Sequence, residues 1–93
     1  MTPRPERPTD SQAVERALIA RLERSAPGAS ICPSEVARIV GGVAWRAFME
    51  PVREAGRRLA MLGQVEFLQR GAVIEPASAR GPIRLRRAPG LPR

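Results

Sequence analysis

The sequence contains no histidine, no tyrosine and no lysine, and its only thiol is that of Cys32. Without histidine, and with a single cysteine, the chain cannot build a Cys/His zinc site or a nucleophile–histidine pair. One cysteine also cannot form an internal disulfide, which favours the reducing cytoplasm. No apolar run is long enough to predict a signal peptide or a membrane span. We therefore expect a cytoplasmic protein that is not an enzyme and binds no cofactor or metal.

Basic charge is plentiful by contrast, and all of it is arginine. The 16 basic residues outnumber the nine acidic ones, which gives a formal net charge of +7. Codon bias explains arginine without lysine, because most exposed positions tolerate either cation. The net charge itself favours an anionic partner, although it says nothing about fold.

A chain of 93 residues has room for one domain with a small core. Residues 1–8 alternate prolines with charges and residues 88–93 repeat that composition, so both segments are predicted to be disordered tails. The domain is then expected to span residues 9–87.

Three helices are predicted in the first two thirds of the domain. The first begins at Thr9 or Asp10, where Thr9 and Gln12 fit a capping box, and it ends before Pro27-Gly28. The second begins after Cys32 and ends at Gly41-Gly42, and the third is predicted from Trp45 to Leu62. Because a proline removes a donor and restricts the residue before it, Pro51 predicts a short turn up to Met49 and a regular helix from Pro51 onward, or a kink.

The residues around Cys32 predict how the second helix starts. Cys32 stands at the N-cap, Pro33 at the first position and Glu35 at the third, while Ile31 and Val36 occupy the positions of a hydrophobic staple. Two interpretations of Cys32 follow. It is either a half-buried capping residue or a thiolate activated by the helix end.

The exposed side of the third helix is a candidate recognition surface. Arg46, Arg53 and Arg57 fall on one side at helical spacing, with Arg58 further round. Glu50 and Glu54 flank them, however, and Arg46/Glu50 and Glu54/Arg58 have the spacing of solvated ion pairs. Either a DNA-facing stripe or an ion-paired surface fits this pattern. Trp45 is interpreted as a core anchor, with base stacking as the alternative.

After Gly63 the hydrophobic period changes from that of a helix to that of a strand. Val65 and Phe67 alternate with Glu66 and Leu68, and a second strand carries Ile83 and Leu85. The connection from Gly71 to Gly81 is too long for a tight hairpin, so it is predicted to be a wing or a flexible loop. Arginines on this ribbon predict most of the positive surface there: Arg70, Arg80, Arg84, Arg86 and Arg87.

Several blocks of the chain resemble a small bacterial winged-helix family that is catalogued as a domain of unknown function. The resemblance covers about residues 11–87. The resemblance implies a fold but no activity. No functional site is transferred from the family to this chain. The resemblance rests on Ile31-Cys32-Pro33-Ser34-Glu35-Val36-Ala37-Arg38, on Trp45-Arg46 with Met49, on Val52-Arg53 with Leu59, and on Arg80-Gly81-Pro82-Ile83-Arg84-Leu85.

The sequence thus predicts an α+β, mostly α, winged helix-turn-helix with three helices and a two-stranded antiparallel wing. Its predicted core is Val14, Leu18, Leu22, Val36, Val40, Phe48, Val52, Leu59, Leu62, Val65, Phe67, Ile83 and Leu85.

Two functions fit this prediction, and fold alone does not choose between them. One is weakly specific, electrostatic binding of double-stranded DNA; the other is a protein–protein interaction module with the same shape and no nucleic-acid role. A catalytic role for Glu50 and Glu54 ranks third, since they lack companion ligands. The nucleic-acid-binding residues are predicted to be Arg46, Arg53, Arg57, Arg58, Arg70, Arg80, Arg84 and Arg86.

Overall fold

A computed structural model describes residues 11–89 as an α+β fold that is mostly helical. Its helices are α1 (Ser11–Glu23), α2 (Pro33–Gly41) and α3 (Met49–Met61), and its strands are β1 (Val65–Gln69), β2 (Ala72–Ile74) and β3 (Arg84–Arg87). Two 3-10 helices, Gly42–Phe48 and Pro76–Ser78, complete it. The predicted tail 1–8, the predicted start of the first helix at Thr9 or Asp10 and residues 90–93 lie outside the described residues.

One apolar core joins the three helices to one face of the sheet. From α1 it takes the predicted stripe of Val14, Leu18 and Leu22, each at most 2% exposed. The helical spacing of this stripe is what puts all three side chains on one face. The other buried members of the core are Ile31, Val36, Ala37, Val52, Ala55, Leu59, Val65, Phe67, Ile83 and Leu85.

The predicted start of α2 is confirmed. Cys32 is the N-cap, Pro33 is the first helical residue, and the N–H of Cys32 donates to Oε2 of Glu35 at 3.3 Å. Ile31 and Val36, the two staple residues, are both buried. Oε1 of Glu35 also lies 2.8 Å from Nη2 of Arg21 in α1 and forms an ion pair with it. The same carboxylate therefore caps α2 and links it to α1.

The link from α2 to α3 differs from the prediction. The residues expected to form a glycine turn enter a 3-10 helix, Gly42–Phe48, which is kinked at Ala44. Only Gly42 takes a left-handed conformation, with φ of 56°, where a glycine is favoured.

The predicted break before a regular third helix is present, but it lies after Phe48, so α3 begins two residues before Pro51. The helix begins at Met49, so Pro51 is its third residue, where a backbone N–H has no acceptor within the helix. Glu50, which was expected to leave helical angles, is therefore inside the helix.

The prediction that Leu62 is a core residue is wrong, since its side chain is 69% exposed. The chain leaves the helix after Met61, and Gly63, with φ of 77°, terminates it in the left-handed conformation. The N–H of Gln64 then donates to the carbonyl of Leu59 at 2.9 Å. Helical spacing stops where the helix stops, so Leu62 faces solvent. Val40 and Phe48, also expected in the core, are only half-buried.

The sheet has three strands and not the predicted two, in the order β2-β1-β3 with both pairs antiparallel. The missed strand is β2, which follows a tight turn at Arg70-Gly71 and lies inside the segment predicted to be a wing or loop. On the far edge, Ile31 forms two backbone hydrogen bonds with Leu85, at 2.8 and 2.9 Å. Past β3, the N–H of Ala88 donates to the carbonyl of Gln64 at 3.0 Å.

Candidate nucleic-acid interface

The predicted arginine stripe does not lie on one helix. Arg46 belongs to the 3-10 helix, and the break between that segment and α3 removes the common register with Arg53 and Arg57. The guanidinium carbon of Arg46 lies 4.5 Å from the centroid of the Trp45 ring. Arg46 is thus held against an aromatic face and not in line with the arginines of α3.

Within α3, Arg57 is flanked by carboxylates. Its Nη1 lies 3.4 Å from Glu50 and 3.2 Å from Glu54. Ion pairs are present on this side of the helix, as predicted, but with a different partner. Both carboxylates of the described helix contact Arg57. A guanidinium shared by two carboxylates presents no net positive charge to a phosphate.

The other arginines of α3 make contacts outside the helix. Arg58 pairs with Glu15 of α1 through its Nε. Arg53 donates from Nη2 to the carbonyl of Gly81 at 3.2 Å, and this acceptor is neutral. Arg53 therefore keeps an uncompensated charge while it joins α3 to the segment that leads into β3.

On the ribbon the arginines divide in the same way. Arg86 forms an ion pair with Glu66 of the neighbouring strand at 2.8 Å. Among the described residues Arg84 donates only to neutral acceptors, from Nε to the Ser30 hydroxyl at 2.7 Å and from Nη2 to the Ser30 carbonyl at 2.8 Å. Arg84 thus keeps its charge, and that of Arg86 is offset.

Three ribbon arginines surround one open cleft of about 470 Å³, here called the ribbon cleft. Among residues 11–89, no acidic residue lines it. Its lining consists of Cys32, Leu68, Gln69, Arg70, Arg80, Pro82, Ile83 and Arg84. Of the eight arginines predicted to bind nucleic acid, the structure brings Arg70, Arg80 and Arg84 together here. Arg53 lies at its border, since it contacts Gly81.

Trp45 is half-buried and packs against the core, which fits the predicted anchor only in part. Two guanidinium groups contact its ring, those of Arg38 at 4.1 Å and Arg46 at 4.5 Å from the centroid. Such cation–π contacts hold long side chains in place without neutralising them. Arg38 was not predicted to be a site residue, because no local pattern links it to a tryptophan seven positions later.

The comparisons with known proteins supply a family. A family model described as a protein of unknown function (DUF3253) matches residues 11–88. The chain belongs to this family. The match agrees with the resemblance to a domain of unknown function, and it covers every described helix and strand of this DUF3253 domain. No curated protein matches the chain.

The described part of the DUF3253 domain also bears on metal sites, membrane spans and the single thiol. Between residues 11 and 89 no group of three or more His, Cys, Asp or Glu side chains is placed to hold a metal ion. In that span no helix is long and apolar enough to cross a membrane. Cys32 is half-buried, and its sulfur accepts a hydrogen bond from the Ser34 hydroxyl at 3.1 Å.

Proposed function

We propose that this domain is a winged helix-turn-helix that binds double-stranded DNA electrostatically and with little sequence preference. The observation that carries the proposal is the gathering of uncompensated arginines at one edge of the molecule: Arg53, Arg70, Arg80 and Arg84. Arginines that contact phosphates position a protein on a duplex without reading its sequence. The proposal gives the domain a cytoplasmic location and no catalytic role.

The element order supports the winged helix-turn-helix interpretation. Helix α2, the 3-10 helix and α3 correspond to the helix-turn-helix, and β1 and β3 correspond to the ribbon. Ile31, which pairs with Leu85 between α1 and α2, takes the place of a short first strand. In this interpretation β2 is an addition at the outer edge of β1.

The proposed contact surface lies towards the ribbon and less on α3. Both carboxylates of the exposed α3 side, Glu50 and Glu54, bracket Arg57, and a carboxylate aimed at a phosphate lowers affinity. In the part of the chain that the structure describes, no acidic side chain lines the ribbon cleft. We therefore assign the phosphate contacts to the four uncompensated arginines that lie in or beside the ribbon cleft. Arg46, Arg57, Arg58 and Arg86 are secondary candidates.

Weak sequence preference follows from the side chains that α3 offers. Its sequence, MEPVREAGRRLAM, contains no Asn or Gln, the residues that recognise adenine through two hydrogen bonds. The remaining base contact through two hydrogen bonds is that of arginine with guanine. Arg57, however, is already paired with carboxylates. Phosphate contacts then dominate the interaction.

A protein-interaction module is the second candidate, and one observation favours it. Val43 is fully exposed in the 3-10 helix, and Ile39 of α2 is 53% exposed. Exposed aliphatic side chains beside arginines and a tryptophan resemble the composition of protein interfaces.

A titration with duplex of random sequence separates the two candidates. At about 50 mM salt we expect binding in the micromolar range, with changes of less than about threefold between unrelated sequences of equal length. Anisotropy of a labelled duplex measures it. Absence of binding at low salt would rule out the DNA proposal and favour the protein-interaction module.

A further inference from the structure

The ribbon cleft has features of a built site and is more than a patch of surface charge. Its polar lining comes from three arginines and from Gln69 and Cys32, and its floor is apolar, from side chains that include Leu68 and Ile83. Both floor residues are buried, at 7% and 4% exposure. Cations around an apolar floor exchange their hydration for a bound anion more readily than cations on a convex surface.

Hydrogen bonds fix two sides of the cleft. The amide nitrogen of Gln69 donates to the carbonyl of Arg80, and to that of Pro82 at 3.1 Å. These bonds tie the end of β1 to the chain that enters β3. Arg84 is fixed through Nε and Nη2 by Ser30, which leaves both N–H groups of Nη1 and one of Nη2 for a ligand.

Arg70 lies on the third side of the cleft and has an unfavourable backbone conformation. Among residues 11–89 it is the one non-glycine residue with positive φ, at 53°, in the turn that joins β1 to β2. Such a conformation costs stability in residues with a β-carbon, and these positions concentrate at functional sites. An arginine there is costly for the turn but supplies a third cation to the cleft.

The chemistry of the lining points to a phosphate group. Guanidinium presents paired N–H donors that match two phosphate oxygens, and three guanidiniums favour an anion with more than one charge. The N-terminus of α2 does not supply the attraction for phosphate, because Glu35 already accepts the N–H of Cys32 there. Recognition thus rests on the arginine side chains.

We propose that the ribbon cleft is a phosphate-binding site in which Arg70, Arg80 and Arg84 bind phosphate groups. The inference deepens the proposed function and rests on it, because in the DNA complex these groups would be neighbouring backbone phosphates, one for each arginine. A free phosphate or a phosphorylated small molecule offers the same chemistry.

Cys32 provides the readout, because the chain has one thiol and it lines the cleft. A bound phosphate should shield it from iodoacetamide, an uncharged reagent, by steric exclusion. We expect millimolar inorganic phosphate to slow alkylation of the full chain at least fivefold, whereas sodium chloride of equal ionic strength should not.

Two variants test the cleft. Arg80→Gln changes a residue of the cleft, Arg16→Gln changes an exposed residue of α1, and each removes one positive charge. Arg80→Gln should raise the half-protecting phosphate concentration about tenfold, and Arg16→Gln should change it less than twofold. Unchanged melting temperatures would show that both variants are folded. Equal protection by chloride, or equal effects of the two variants, would overturn the proposal.

A short duplex in the same assay distinguishes this site from the proposed function. Protection of Cys32 by the duplex, weakened by Arg80→Gln, supports both. A duplex that binds without protecting Cys32 would overturn the cleft assignment and leave DNA binding intact. Protection by phosphate without any duplex binding would overturn the DNA proposal and support the cleft as a site for a free phosphate group.

Discussion

Arg70→Asn should make the domain more stable and weaken its binding to DNA. Arg70 has φ of 53° and is followed by Gly71, with φ of 81°, in the turn between β1 and β2. Two left-handed residues in a two-residue hairpin loop are what Asn-Gly forms best. The left-handed conformation costs roughly 1 to 2 kcal/mol in an ordinary residue, and asparagine tolerates it better.

We expect the substitution to recover about 0.5 to 1 kcal/mol of this cost. For a domain of this size that is a rise of about 3 to 6 °C in melting temperature. The same change removes one cation from the ribbon cleft. Loss of one phosphate contact at about 100 mM salt should weaken duplex binding roughly 5- to 10-fold by counterion release.

Thermal melts followed by circular dichroism and duplex titrations measure the two effects separately. Arg80→Asn is the matched control, because Arg80 also lines the cleft and its φ is not positive. It should weaken DNA binding to a similar degree without raising the melting temperature. A melting temperature of Arg70→Asn equal to wild type would refute the argument from strain. Unchanged duplex affinity would refute the placement of Arg70 at the interface.

Three further predictions concern other parts of the surface. Glu50→Gln combined with Glu54→Gln should free the charge of Arg57 and strengthen duplex binding several-fold; an unchanged affinity would show that this side of α3 faces away from DNA. Cys32→Ser should change the free energy of unfolding by less than about 1 kcal/mol and preserve DNA binding, since serine is a good N-cap, and a folded variant without binding would give the thiol a chemical role. Trp45→Ala should cost about 2 kcal/mol in chemical denaturation, less than a fully buried aromatic, and no loss at all would contradict the packing of the ring on the core.

The helices were the most predictable part of the fold because their signals are local. The pairing of Cys32 with Glu35 and the apolar stripe of α1 depend on residues within two turns of each other. The break before a regular third helix was predicted, but two residues too late, because the rule for proline depends on where the helix begins. That start, in turn, follows from how the 3-10 helix ends at Phe48.

The second strand was missed for a related reason. The alternating pattern of β1 and β3 suggested that they pair across one long connection, and they do pair. Nothing in three residues, Ala72–Ile74, indicates a strand until the two-residue turn at Arg70-Gly71 is considered. An Arg-Gly pair is a weaker hairpin signal than Asn-Gly, because arginine seldom adopts positive φ.

Among the candidate site residues, the cations were predictable from the sequence, but their partners were not. Which arginines keep their charge depends on contacts between distant segments, such as Arg58 with Glu15 or Arg84 with Ser30. These separations of 43 and 54 residues have no periodic signature. The ribbon cleft therefore became visible only when the sheet and the loop into β3 were placed.

The salt dependence of duplex binding tests the central claim most directly. Wild type, with four phosphate contacts, should lose roughly 100-fold in affinity between about 50 and 200 mM salt. The cleft variant Arg70→Gln/Arg80→Gln should lose only about 10-fold over the same range, because two contacts are gone. The control Arg16→Gln/Arg24→Gln, with the same net charge, should keep the wild-type dependence. Equal salt dependence for the two double variants would contradict the assignment of DNA binding to the ribbon cleft.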